Sequence, residues 1–178
     1  NLKNALTSAI TGLYQGGRPV RILDLAAGVG RYVLETMRTT RHIPMAATLR
    51  DYKEENITAA RVLAEEFELP NVNVVKGDAF DADSIATTIP RPTIGIVSGL
   101  YELFPSNEKV LTSLRGLARA IEPGGYLIYT NQPWHPQLKL IARVLKNREG
   151  KPWIMRRRTT AEIDELVSMA GFTKQSME

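Results

Sequence analysis

The run Asp24-Leu-Ala-Ala-Gly-Val-Gly-Arg31 is the stretch of this chain best equipped for ligand chemistry. It follows a β-type run, Val20 to Leu25, and leads into a helical pattern that starts at Arg31. Gly28 and Gly30 permit a tight turn and let a ligand come close to the backbone. The helix start beyond them offers unpaired N–H groups and the positive end of a dipole, which suit a carboxylate or a phosphate. Asp24 adds an acid that would attract a cation and repel a pyrophosphate. A glycine-rich loop alone is weak evidence, since glycine marks turns in general.

Later positions sharpen the reading. Asp51 closes a second apolar run, 21 residues after Gly30, where an acid can accept from both ribose hydroxyls. Gly77-Asp78-Ala79-Phe80 follows a third run. There Asp78 can accept from an adenine amine and Phe80 can stack on the ring. Asp51 and Asp78 would also serve as helix caps, but three such positions in one order point to a nucleoside-containing ligand lying across strand ends.

The elements that must position these residues follow from periodicity. Leu2, Leu6, Ile10 and Leu13 recur at helical spacing before Gly16-Gly17. Strand-like runs occupy Val20–Leu25, Met45–Leu49, Val72–Val75, Thr93–Ser98 and Tyr126–Thr130. Between them, helices are expected from Arg31, over Lys53–Phe67, over Asp83–Thr88 and after the cap Ser106. Pro123-Gly124-Gly125 turns the chain into the fifth run. Leu138–Leu145 is amphipathic, and Thr159 with Glu162 fits a capping box for a last helix closed by Gly171. Phe172–Ser176 reads as a final strand. Strands alternating with helices predict an α/β fold, a doubly wound, mostly parallel sheet with helices on both faces. Consecutive apolar residues in Ile22-Leu23 and Ile94 to Val97 fit strands covered on both sides.

Composition bounds the rest. The 178 residues suit one domain, 1–178, and the start at Asn1 rather than Met leads us to expect part of a longer chain. No apolar run has the length of a membrane span, and no secretory signal is visible. The absence of cysteine excludes disulfides and thiolate chemistry and fits a cytoplasmic setting. Two isolated histidines, His42 and His135, give no metal-ligand spacing, and no Gly-x-Ser-x-Gly elbow appears. The net charge of +4 lies entirely in residues 137–178, with eight basic residues and one acid between Lys139 and Arg158. Such a segment is either a solvated face or a field for an anionic partner.

Taken together, Arg21-Ile-Leu-Asp-Leu-Ala-Ala-Gly-Val-Gly-Arg31, Leu49-Arg-Asp-Tyr52, Lys76-Gly-Asp-Ala-Phe80 and Glu122-Pro-Gly-Gly-Tyr126 resemble the successive motifs of the class I, Rossmann-like S-adenosylmethionine-dependent methyltransferases. Val97 to Pro105, Asn131 to Gln137 and Met155 to Arg158 are similar to a narrower family of methyltransferase domains whose members can be fused to lysophospholipase-like hydrolase domains. The resemblance implies S-adenosyl-L-methionine as cofactor and S-adenosyl-L-homocysteine as product. It places Asp24, Ala26, Gly28 and Gly30 at the methionine end, Asp51 and Tyr52 at the ribose, and Asp78, Ala79 and Phe80 at the adenine. Gly99 falls where the substrate-facing motif begins. Two departures stand out. Ala26 replaces the wider family's glycine, so the loop is expected to avoid positive φ there. The usual terminal antiparallel hairpin does not fit before Glu178, so the last strand is expected to be missing.

Three functional readings follow. The first is methyl transfer to an unidentified small-molecule or lipid-like acceptor. Tyr101, Glu102 and His135 are then candidate bases, and Trp134, Trp153, Arg157 and Arg158 candidate acceptor contacts that favour an anion, at a site peripheral to a membrane if the acceptor is a lipid. The second is a catalytically silent cofactor-binding or partner-docking domain. The third, an NAD(P) site, is disfavoured because its third fingerprint glycine is Val33 and because Asp24 opposes a pyrophosphate. Nucleic acid is the weakest partner, since aromatics interleave with the basic run but no recognition motif is present.

Overall fold

A computed structural model describes residues 2–133, 137–145, 150, 152 and 154–176. The elements run α1 (Leu2–Gln15), β1 (Val20–Leu25), α2 (Arg31–Thr39), β2 (Met45–Asp51), α3 (Glu54–Glu66), β3 (Val72–Lys76), α4 (Ala82–Ala86), β4 (Ile94–Val97), a 3₁₀ turn (Tyr101–Leu103), α5 (Asn107–Ala120), β5 (Tyr126–Tyr129), α6 (Leu138–Val144) and α7 (Thr160–Met169). The five strands pair in parallel in the order β3-β2-β1-β4-β5. The order reverses between β1 and β4, which is where open α/β sheets form their ligand crevice.

Alternation along the central strand builds two cores. Val20 and Ile22 of β1 pack with Leu6 and Ile10 of α1, Leu34 of α2 and Ile57 of α3. Leu23 and Leu25 point the other way, toward Ile85 of α4, Leu114 of α5 and Ile163 of α7. Both faces of β1 are thereby dry, which explains the consecutive apolar residues Ile22 and Leu23 at its centre. Caps fall where the side chains allow them. Ser106 accepts from Lys109 N at 3.2 Å, and Thr159 from Glu162 N at 3.1 Å. Asp81 caps α4, accepting from Ser84 N at 3.0 Å, so that this helix starts one residue earlier and ends two residues earlier than the pattern suggested.

One element differs in kind. Phe172–Ser176 forms no strand; the chain leaves α7 at Gly171, and Phe172 packs against the second core instead. Among the described residues the sheet stops at β5, and no helix is long and apolar enough to cross a membrane.

Candidate functional site

Three strand ends converge on one cleft. Ala26 lies beyond β1, Asp51 and Tyr52 at the end of β2, and Gly77, Asp78, Ala79 and Phe80 beyond β3; Leu100, Phe104 and Lys109 close the other side. The cleft holds about 590 Å³ of space open to solvent. Of the positions named from sequence, Ala26, Asp51, Tyr52, Asp78, Ala79 and Phe80 line it. Asp24, the penultimate residue of β1, and Gly28, Gly30 and Gly99, in the strand-end loops, do not line it.

The loop after β1 is held open by its neighbour strand. Ala27 N–H donates to Arg50 O at 3.0 Å, and Gly30 N–H closes a turn on Ala27 O at 2.8 Å. Three of its residues adopt left-handed backbone: Ala26 (φ 54), Gly28 (φ 59) and Gly30 (φ 66). The expectation that Ala26 avoids positive φ is therefore overturned. Its methyl group carries a strain of about 1–2 kcal/mol that glycine would not. Gly30 has a second constraint, because a Cβ there would sit 2.5 Å from Leu49 Cδ1.

Asp51 ties this loop to the next. Its Oδ2 accepts from Gly28 N at 2.8 Å, while Oδ1 accepts from Lys53 N at 2.9 Å and Asn56 Nδ2 at 3.0 Å. A carboxylate has about four acceptor positions, so one on Oδ2 remains for a further donor. Asp78 is exposed, and its Oδ1 accepts from Phe80 N at 2.9 Å, which folds the Asp78–Phe80 turn and presents the ring. Tyr52 stands 60% exposed beside Asp51.

Asp24 is the electrostatic exception. It is fully buried, its Oδ2 accepts the Tyr32 hydroxyl at 2.6 Å, and its Oδ1 has no partner among the described residues. Burial, the largest cause, pushes its carboxyl up to about 7; the Tyr32 bond works against the rise and the nearby Asp51 charge adds to it. An orphaned buried acceptor next to a strand-end loop is a place where a cationic donor would be welcome.

Residues that periodicity did not single out complete the cleft. Arg50 of β2 is buried against Gly77, where a Cβ would stand 2.5 Å from Nη2, and it donates to Ser84 O and Oγ at 3.0 and 2.8 Å. Phe80 and Phe104 meet edge to face at 4.6 Å between centroids, and Lys109 Nζ lies 4.6 Å from each ring. Gly77 sits inside the Lys76–Phe80 motif next to Asp78 and was findable; Phe104, although inside the Val97–Pro105 stretch, and Lys109 reach the cleft only through the fold of the loop after β4.

The remaining sequence candidates fall elsewhere. Tyr101 is buried, its hydroxyl bonded to Ser113 Oγ at 3.0 Å and its pKa raised by burial. Glu102 is also buried, which raises its carboxyl against the opposing charge of Arg158. Neither lines the cleft. Gly99 N–H donates to Thr130 Oγ1 at 2.8 Å, joining the ends of β4 and β5. Arg157 is exposed. Arg158, expected to face an acceptor, is instead 1% exposed, with its guanidinium turned into the loop after β4. Trp134, His135 and Trp153 lie outside the described residues.

The whole span, residues 1–178, matches the family described as "Putative methyltransferase". A relative from Escherichia coli (strain K12), "Uncharacterized protein YnbC", is 48% identical over 176 residues, which cover 98% of this chain and 30% of that protein. The chain thus spans under a third of the length of this relative. Among solved structures, an O-methyltransferase family protein from Burkholderia thailandensis superposes with a TM-score of 0.71 at 18% identity, covering 99% of this chain and 53% of that one. Magnesium protoporphyrin IX methyltransferase from Synechocystis PCC 6803, solved with bound S-adenosylhomocysteine, gives 0.68 at 16% identity over 96% of this chain and 73% of that one. At such identities the structural likeness shows the fold, which is the Rossmann-like fold of the class I methyltransferases. The match over the full span shows the family: this chain belongs to the methyltransferase family so described.

Proposed function

We propose that this domain binds S-adenosylmethionine across the tips of β1, β2 and β3 and transfers its methyl group to an anionic small-molecule or lipid-like acceptor. The observation that carries the reading is the single cleft that unites Ala26, Asp51, Tyr52, Asp78 and Phe80 from three strand ends. The donor set fits the group. Asp24 Oδ1, buried and unpartnered, suits the methionine ammonium. The free acceptor position on Asp51 suits a ribose hydroxyl, and Asp78 with Phe80 offers an acceptor and a ring to the adenine. The same Asp24 opposes a dinucleotide pyrophosphate, which supports this reading over an NAD(P) site.

When bound, the sulfonium would supply an activated methyl carbon with a neutral thioether as its leaving group, so the chemistry would ask little more of the protein than placement. The protein's share is position, alignment and exclusion of water. Asp51 and the Gly28–Gly30 turn hold one end of the ligand, and the Asp78–Phe80 turn the other. Tyr101 and Glu102, buried off the cleft, serve here as loop supports rather than bases. Exposed Arg157, in the basic segment, is the contact we assign to an anionic acceptor. The greater length of the relative supports a second domain in the native chain, which the family resemblance suggests is a hydrolase; a cytoplasmic setting, peripheral to a membrane for a lipid acceptor, completes the proposal.

Calorimetry with S-adenosylhomocysteine against NAD tests the cofactor. Tight binding of the first, about tenfold weaker in Asp51→Ala, is expected; that factor is worth about 1.4 kcal/mol. Preference for NAD would overturn the assignment.

A further inference from the structure

The chain between Met155 and Arg158 crosses the loop that follows β4. Arg156 N–H donates to Glu102 O at 2.7 Å. Arg158 Nη1 donates to Tyr101 O at 2.7 Å, and Nη2 to Phe104 O at 2.8 Å and Pro105 O at 3.3 Å. Its Nε donates to Asn107 Oδ1 at 2.8 Å. No carboxylate among the described residues pairs with this guanidinium directly. The acid of the assembly stands one step away, with Glu162 Oε1 accepting from Asn107 Nδ2 at 2.9 Å and Arg156 Nη2 at 2.6 Å. A buried irregular loop leaves carbonyls that need donors, and only the forked, five-donor arginine can serve three of them and an amide at once.

The loop so held is the one that delivers Leu100 and Phe104 to the cleft, and Phe104 is the residue whose ring meets Phe80. We propose that Arg158 is a positioning residue for the cofactor site: by fixing the carbonyls of Tyr101, Phe104 and Pro105 it holds the Phe104 ring against Phe80 and so shapes the end of the cleft assigned to the adenine. The proposal rests on that assignment for its effect on binding, though not for the ring geometry. It couples the basic segment after β5 to the cofactor wall through backbone carbonyls rather than through charge. Lysine at position 158 would not substitute, because a single ammonium cannot reach the spread of acceptors that the fork spans.

Two measurements test it. The first is the nuclear Overhauser contact between labelled Phe80 and Phe104 rings. It is expected in the wild type and lost in Arg158→Met and Arg158→Lys; its persistence in a folded Arg158→Met protein would overturn the proposal. The second is a double-mutant cycle on S-adenosylhomocysteine affinity with Phe104→Ala. Each single change is expected to weaken binding about tenfold and the pair no more than Phe104→Ala alone, since residues acting through one contact are not additive. Additive loss, about a hundredfold, would overturn it, because a merely structural arginine would act independently of Phe104. Should Arg158→Met not fold, Asn107→Ala removes the Nε acceptor together with the Nδ2 bond to Glu162 and leaves the three carbonyl contacts of Arg158 in place. It should weaken binding about threefold in the wild type and not at all with Phe104→Ala; a threefold loss in both backgrounds would refute the coupling. If the wild-type protein binds no S-adenosylhomocysteine, the cofactor reading falls while the ring contact still decides the role of Arg158.

Discussion

Replacing Asp24 by asparagine removes a charge that the folded protein accommodates badly, and the consequence is a change in how stability depends on pH. Asp24 is completely buried, and its carboxyl rises from the ordinary 3.8 to about 7. A rise of roughly three units corresponds to about 4 kcal/mol of disfavoured ionisation, at about 1.36 kcal/mol per unit. The sign follows from proton uptake. The folded state binds this proton more tightly than the unfolded one, so the contribution is complete below about pH 4, is lost as pH rises toward 7, and is constant above it. Between pH 5 and pH 8 the wild type should lose about 3 kcal/mol from this group alone. In Asp24→Asn the side-chain amide oxygen still accepts the Tyr32 hydroxyl, but the group does not titrate. Urea unfolding of both proteins at the two pH values reads the difference. The variant should be the more stable at pH 8, with the gap shrinking by about 3 kcal/mol at pH 5. Equal pH slopes in the two proteins would refute the reasoning, since they would mean that Asp24 titrates alike folded and unfolded.

Other outcomes follow from single positions. Ala26→Gly should relieve about 1–2 kcal/mol of left-handed strain against about 0.4–1 kcal/mol of added chain entropy, and thermal unfolding should show a net gain. Gly30→Ala combines a φ of 66 with a Cβ 2.5 Å from Leu49 Cδ1, so denaturant unfolding should show a loss of about 3 kcal/mol. Asp78→Ala should weaken S-adenosylhomocysteine about tenfold by calorimetry, with little change in melting temperature because the side chain is exposed. Arg157→Glu should lower methyl transfer in a screen of anionic acceptors that includes phospholipid vesicles, while cofactor affinity stays at the wild-type value.

The parts of this molecule that sequence exposes are those set by short-range periodicity. Alternation along Val20–Leu25 and the helical spacing after Arg31 determine β1 and α2, and with them the loop at Ala26–Gly30. Asp51 and Asp78 are visible because the first ends β2 and the second lies two residues past the end of β3, and strand ends of a parallel sheet share one side of it. Phe104 and Lys109 were not visible: they reach Phe80 across 24 and 29 residues of chain, by a loop whose path depends on Arg158. Arg158 itself misleads, since within a basic run it reads as a contact for an anionic acceptor until the buried carbonyls it meets are known. Ala26 misleads for a local reason, because its side chain disfavours a conformation that the hydrogen bonds around it impose.

The alternation along β1 has a further consequence for how the molecule holds together. Residues of α1 through α3 cover one side of the sheet, and residues of α4, α5 and α7 the other, so the helices of each layer come from one continuous stretch of chain. Within the sheet the two stretches join where β1 runs beside β4, from Ile22 opposite Ile94 to Leu25 opposite Val97. A ribosome would release the first layer's material before the second exists, and Ile94 and Ile96 would arrive later to finish it. The crevice at the end of that junction unites loops from both stretches, so a molecule lodged there fastens the early half to the late one.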